Sequence, residues 1–214
     1  AQSTHDVAKA QEFQKSIQKA FRSFLDFGGL EGKFVDNQSA TQFLPPPIDV
    51  VPQEGSGPLE MQDFVEREME KEGMDADVKE YMEIRAENLG VRMSLQSSQF
   101  FDAGSALIRE EALPELDHIA EVIKKTKRRV IIEGHTDDTQ IHTAKFPSNW
   151  ELSATRASTI VRYFILKHQI NPARLIAVGY ADQKPLVAND SPKNRARNRR
   201  IDILIVTDDK KVNF

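Results

Sequence analysis

The sequence predicts an α/β fold: a two-layer sandwich in β-α-β-α-β-β order, with its helices on one face of a sheet. Three observations carry this. Short runs rich in branched apolar residues occupy 91–95, 130–134, 175–179 and 201–206, each about the length of a strand. Stretches with apolar residues at three- and four-residue spacing lie between them, over 109–127 and 149–168. No apolar run approaches the roughly 18 residues of a membrane span.

The elements follow in order. Over 6–27, Val7, Ala10, Phe13, Ile17, Phe21 and Phe24 fall at helical spacing, and Gly28-Gly29 ends the run. This predicts a separate N-terminal amphipathic helix over 1–27. Residues 28–58 contain Phe43-Leu44-Pro45-Pro46-Pro47 and Gly55-Ser56-Gly57-Pro58, the composition of a linker. The domain proper is expected over 59–214, beginning with a short charged helix over 59–72. Residues 77–88 alternate weakly and read as strand or helix. A strand follows at 91–95. Leu113, Leu116, Ile119, Ala120 and Ile123 share one helical face, and Pro114 is tolerable in a first turn. Ser148 with Glu151 three residues later is a capping box, so the next helix should start there.

Charge divides the chain. Residues 1–90 carry 9 Lys and Arg against 18 Asp and Glu, whereas residues 91–214 carry 20 against 15. A mildly basic second half suits an anionic partner without choosing among glycan polymer, nucleic acid and membrane. The chain has no cysteine, which excludes disulfides, thiolate metal sites and thiol nucleophiles. No secretory leader is visible, and the start at Ala1 leaves room for an upstream segment.

The candidate site lies in residues 130–200. A strand ends in Gly134-His135-Thr136-Asp137, and Arg156 follows in the first turns of the next helix. Arg156 should sit about 100° from the centre of the Ala157, Ile160, Val161 and Phe164 stripe, at the edge of the core. Asp137 should share its rim. Two readings stay open: a plain Asp137–Arg156 salt bridge pinning loop to helix, or a seat for a small zwitterion. In the second, the guanidinium takes a carboxylate and the aspartate an ammonium. His135, Asp137, Asp138 and His142 match no common metal spacing, so no metal or cofactor is expected. Adjacent Asp137 and Asp138 should point apart, which disfavours hydrolysis and an enzyme. The run Lys193 to Arg200 lacks interleaved aromatics, so nucleic acid is not the expected partner. Arg195 and Arg197 read as a solvated face. Trp150 reads as a core plug rather than a sugar-stacking ring.

These strings resemble the OmpA-like peptidoglycan-binding family. The matching residues are Gly134-His135-Thr136-Asp137, Asn149, Leu152-Ser153, Arg156-Ala157 and Asn198-Arg199-Arg200, and the resemblance covers roughly residues 90–207. It implies that Asp137 and Arg156 clasp the free end of diaminopimelate in a stem peptide. Thr136 and Asn149 would add hydrogen bonds. Phe101, Asp102 and Leu152 would border the pocket, and Arg199 would contact the glycan. Within the family, Phe146-Pro147-Ser148-Asn149-Trp150-Glu151-Leu152-Ser153 is similar to flagellar motor stator B subunits (MotB type). That resemblance implies non-covalent anchoring of a stator to the wall from the periplasmic side of the inner membrane. It also implies a homodimer, and a stator A subunit met through a single membrane helix upstream of Ala1. The first helix and the linker would regulate activation. The alternative it leaves is a general outer-membrane-to-wall anchor of the Pal type.

Overall fold

The structure, a computed structural model, describes residues 56–74, 78 and 80–208. The helix expected over 6–27 and most of the linker over 28–58 lie outside the described residues. Helix α1 spans Pro58–Lys71 and places its proline at the start, where the missing N–H leaves no helical bond unmade. Met61, Phe64, Val65 and Met69 form its buried stripe. Its buried Glu68 accepts from Lys125 Nζ at 2.7 Å and Lys71 Nζ at 2.9 Å. Lys125 holds that carboxyl below the usual carboxylate range and ties α1 to the helix carrying the lysine.

The described part of the segment read as strand or helix holds strand β1 (Met82–Glu87), which pairs antiparallel with β2 (Gly90–Gln96). Its alternation reads weakly because an edge strand of this sheet buries one face only partly. The one-turn helix α2 (Ser97–Phe100) follows, then a 3-10 turn (Glu110–Ala112) and α3 (Leu113–Thr126). Strand β3 (Val130–Gly134), α4 (Asn149–His168), β4 (Leu175–Gly179), the short α5 (Pro192–Asn198) and β5 (Arg200–Val206) complete the domain. The short helices α2 and α5 are additions to the predicted order, and β1 decides its strand-or-helix alternative as strand.

The sheet runs β1-β2-β5-β3-β4. The last strand is therefore central, antiparallel to β2 and β3, while β3 and β4 are parallel and joined by the α4 crossover. Val91, Met93, Leu95, Val130, Ile132, Ile201, Ile203 and Ile205 form one core with Leu116, Ile119, Ile123, Ala157, Ile160 and Phe164 from the helices. Each such side chain contributes about 1.5–3 kcal/mol of burial. Among the described residues, no helix is long and apolar enough to cross a membrane.

On the other face of the same strands, Ile131, Leu204 and Val206 form a smaller apolar cluster, and Arg92, Glu133, Arg200 and Asp202 hold charge. Arg92 Nη1 donates to Glu133 Oε2 at 2.5 Å and to Asp202 Oδ2 at 3.2 Å, and its Nε donates to both Glu87 oxygens at 2.9 Å. Arg200 Nε donates to both Asp202 oxygens, at 3.1 and 3.0 Å. Burial opposes the Arg92 charge, yet Glu133 and Glu87 raise its proton affinity above that of a free arginine. Burial likewise pushes the Glu133 carboxyl up, but His135 and Arg92 together hold it below the usual carboxylate range.

Buried His135 lies against this cluster and stacks on Tyr180 at 5.3 Å between ring centroids. Its Nε2 is 3.4 Å from Asp202 Oδ2 and 3.7 Å from Glu133 Oε2, and neither ring nitrogen makes a well-formed hydrogen bond. Burial lowers its pKa, the Arg200 charge adds to that, and the two carboxylates oppose it. The folded domain therefore binds fewer protons at His135 than the unfolded chain does below about pH 6.5. The resulting stability is full above that pH and lost as pH falls through the folded value. We expect the urea midpoint to drop between pH 7 and pH 5, and His135→Asn to flatten the slope. An unchanged slope would reject the assignment.

Candidate binding site

Both β2 and β3 end beside the start of β5, and the segments that leave them converge there with the first turns of α4. Close backbone approach sets the position of α4. A Cβ on Gly134 would lie 2.1 Å from the Ser153 carbonyl oxygen, and one on Gly179 would lie 2.5 Å from the Ala154 nitrogen. Only glycine lets the helix press on both strand ends, which places Arg156 just inside the sheet's rim. The helix starts where the capping box predicts: Ser148 Oγ accepts from the Trp150 N–H at 3.1 Å and donates to Glu151 Oε2 at 2.5 Å.

A cavity of about 440 Å³ opens at this end of the sheet. All eight residues singled out in the sequence line it: Phe101, Asp102, Thr136, Asp137, Asn149, Leu152, Arg156 and Arg199. Ser97, Ser98, Ala103, Gly104, Thr139, Gln140 and Ile141 line it too.

Arg156 is only 5% exposed. Its Nε donates to the Ser105 carbonyl at 2.7 Å, Nη1 to Ser97 Oγ at 3.0 Å and Nη2 to the Asp102 carbonyl at 3.0 Å. The guanidinium also lies 5.1 Å from the centre of the Phe101 ring. A guanidinium has five N–H donors, so these bonds leave one free on each terminal nitrogen. None of the three acceptors is a carboxylate. Burial, with Arg199 adding to it, pushes the pKa down to about 10, so the group is still charged at neutral pH.

Asp137 does not pair with Arg156. Its Oδ2 accepts from Arg199 Nη1 and its Oδ1 from the Thr139 N–H at 2.9 Å. The plain Asp137–Arg156 bridge left open by the sequence is therefore not formed. Thr136 Oγ1 donates to the Asp137 carbonyl at 2.9 Å, and Asn149 Nδ2 donates to the Thr139 and Asp137 carbonyls at 2.9 and 3.4 Å. These donors, expected to face a ligand, hold the Asp137 loop instead. Phe101 and Leu152 are buried walls, and the Asp102 side chain is exposed at the rim.

Two further expectations change. Trp150 is 49% exposed and is no core plug. Trp150 lies in the first turn of α4, three residues before the Ser153 that meets Gly134. The basic run is mostly tied down. Arg195 pairs with Asp138 at 2.9 Å, Arg199 with Asp137 and Arg200 with Asp202, which leaves Lys193 and Arg197 as the exposed cations of the run. Asn198, fully buried, accepts from the Leu186 and Val187 N–H groups at 2.8 and 3.0 Å and so fixes the turn that presents Arg199.

Among the described residues, one group could offer three metal-ligand atoms: Glu133, His135 and Asp202, with atoms within 4.8 Å of one another. Arg92 and Arg200 already supply the positive charge that a metal would bring there. The four residues weighed for a metal in the sequence are dispersed. His135 faces the buried cluster, Asp137 the cavity, Asp138 meets Arg195, and His142 contacts the Pro147 carbonyl at 3.0 Å.

An OmpA family pattern matches residues 100–199, the stretch that builds the cavity. The solved structure of a putative MotB-like protein from Desulfovibrio vulgaris is 30% identical, with a TM-score of 0.62 over 70% of this chain and 96% of that one. This chain belongs to the OmpA family. A Bacillus subtilis relative named Motility protein B is 28% identical over 215 residues, covering 96% of this chain and 82% of that protein. The OmpA-like region here is thus of the MotB type. The cell wall anchor of the T6SS from Pseudomonas aeruginosa is 26% identical, with a TM-score of 0.60 over 74% of this chain and 100% of that one. The chain spans about half the length of some curated relatives, 54% and 47% in two cases.

Proposed function

We propose that the cavity grips peptidoglycan by the free end of a diaminopimelate side chain, carboxylate on the Arg156 fork and ammonium on Asp137. Arg156 carries this reading: a buried cation with no carboxylate partner and an unused donor on each terminal nitrogen, the pair a carboxylate can bridge. A buried charge without a counter-ion is costly, and an arriving carboxylate offsets that cost. Phe101 and Leu152 would pack the ligand's methylenes, while Thr136 and Asn149 keep the Asp137 loop in place. The role is holding, not catalysis, because Asp137 and Asp138 engage different arginines rather than flanking one bond.

The MotB-type relatives support a finer reading, in which the domain anchors a flagellar motor stator to the wall from the periplasmic side of the inner membrane. The full protein would then meet a stator A subunit through a membrane helix. Two clasps in a homodimer would hold the polymer more firmly than one, through effective concentration. Residues 1–27 and 28–58 would regulate the domain's reach, as their composition suggests.

The test is cosedimentation with purified sacculi in the presence of small competitors. Free meso-diaminopimelate is expected to displace the protein. Cadaverine, a diamine without carboxylates, is not. No sedimentation, or equal displacement by both, would overturn the reading.

A further inference from the structure

Building on that reading, we infer that Arg199 is a latch on Asp137. Its guanidinium holds the carboxylate that the ligand's ammonium needs, so binding exchanges one cation for another. Asp137 is 4% exposed and each of its oxygens already has a donor, Arg199 on Oδ2 and the Thr139 N–H on Oδ1. A second cation reaches that carboxylate only by displacing or sharing with the first.

The two arginines of the cavity are built differently. Arg156 is buried and tied through all three nitrogens. The Arg199 side chain is 42% exposed, and its bond to Asp137 is the only one it makes among the described residues. Its backbone is secured, with the Ser97 N–H donating to its carbonyl at 2.9 Å and its own N–H to the Arg195 carbonyl at 3.0 Å. The guanidinium can therefore swing out while the chain stays. Its charge also crowds that of Arg156, so the rim favours its departure once another cation covers Asp137.

The latch sets specificity. The ligand's carboxylate meets an unpartnered cation and contributes its full interaction. The ammonium replaces a cation already present and contributes little net affinity. Removing the latch bares Asp137 and makes the ammonium count.

NMR titration of the folded domain with meso-diaminopimelate and with its N,N′-diacetyl derivative tests this, using wild type, Arg199→Gln and Arg199→Ala. Both variants are expected to bind diaminopimelate about two- to fivefold more tightly, with less than about a 1.5-fold change for the diacetyl compound, the range an ion pair with one exposed partner imposes on a competent state. Weaker diaminopimelate binding in both variants would make Arg199 a ligand contact and overturn the latch. Equal changes for the two compounds would reduce it to a structural or bulk-charge role and also overturn it. Arg156→Ala separates the two ideas. If that variant binds diaminopimelate like wild type, the underlying reading fails. If it loses binding while the Arg199 variants do not tighten, only the latch fails.

Discussion

Arg156→Ala is expected to lower affinity for sacculi by about 2–4 kcal/mol, on the order of 30- to 1,000-fold, as removal of one partner from a buried charge-assisted pair does. Arg156→Lys should lose nearly as much. An ammonium is a point donor that cannot span a carboxylate in two-pronged fashion while still serving the Ser105 carbonyl, Ser97 Oγ and the Asp102 carbonyl. Folding stability should move far less than binding. The alanine variant leaves those acceptors without a donor, at about 1–3 kcal/mol, but it also removes a buried cation that no carboxylate compensates. The measurement is a sedimentation isotherm beside a melting curve. Retained binding at wild-type affinity would sink the proposed clasp.

The second large effect lies on the face of the sheet away from the helices. Asp202 is 1% exposed and serves Arg92 and Arg200 at once. Asp202→Ala leaves Arg200 in the interior without a carboxylate and takes one of three carboxylates from Arg92, and removing one partner of a buried ion pair costs about 3–5 kcal/mol. At about 2–4 °C per kcal/mol for a domain of this size, the melting temperature should fall by roughly 6–20 °C. Asp138→Ala is the matched control. Its pair with Arg195 is exposed, and such pairs contribute about 0–1 kcal/mol. If the two variants melt alike, the buried cluster is not the coupled unit its distances imply.

The two pairs show how far residue type alone carries an argument. Asp202 and Asp138 are both aspartates paired with arginines, and only burial separates a large effect from a negligible one. Strand β5 illustrates the same limit. Its run of apolar residues reads as a strand, but nothing in the run says that it lies at the sheet's centre between β2 and β3. Strand β1 reads ambiguously because an edge strand with one half-covered face needs little apolar signal, and α5 escapes because Pro192 and Ala196 among five polar and basic residues make no amphipathic stripe. Trp150 was misjudged for a related reason. Helical phase predicts direction, not whether anything lies in that direction.

By itself the sequence determined four of the five strands and the three long helices, because hydrophobic spacing and capping chemistry are local. It also determined which eight side chains to watch, through short strings that resemble a known family. Tertiary structure alone decided who pairs with whom. Asp137 meets Arg199, 62 residues away, rather than Arg156, 19 residues away, and Arg156 is left buried among carbonyls and one hydroxyl. Partner choice depends on how α4 seats against two glycines and on where β5 enters the sheet. Those are distances between segments remote in the chain, and no periodicity within a segment encodes them.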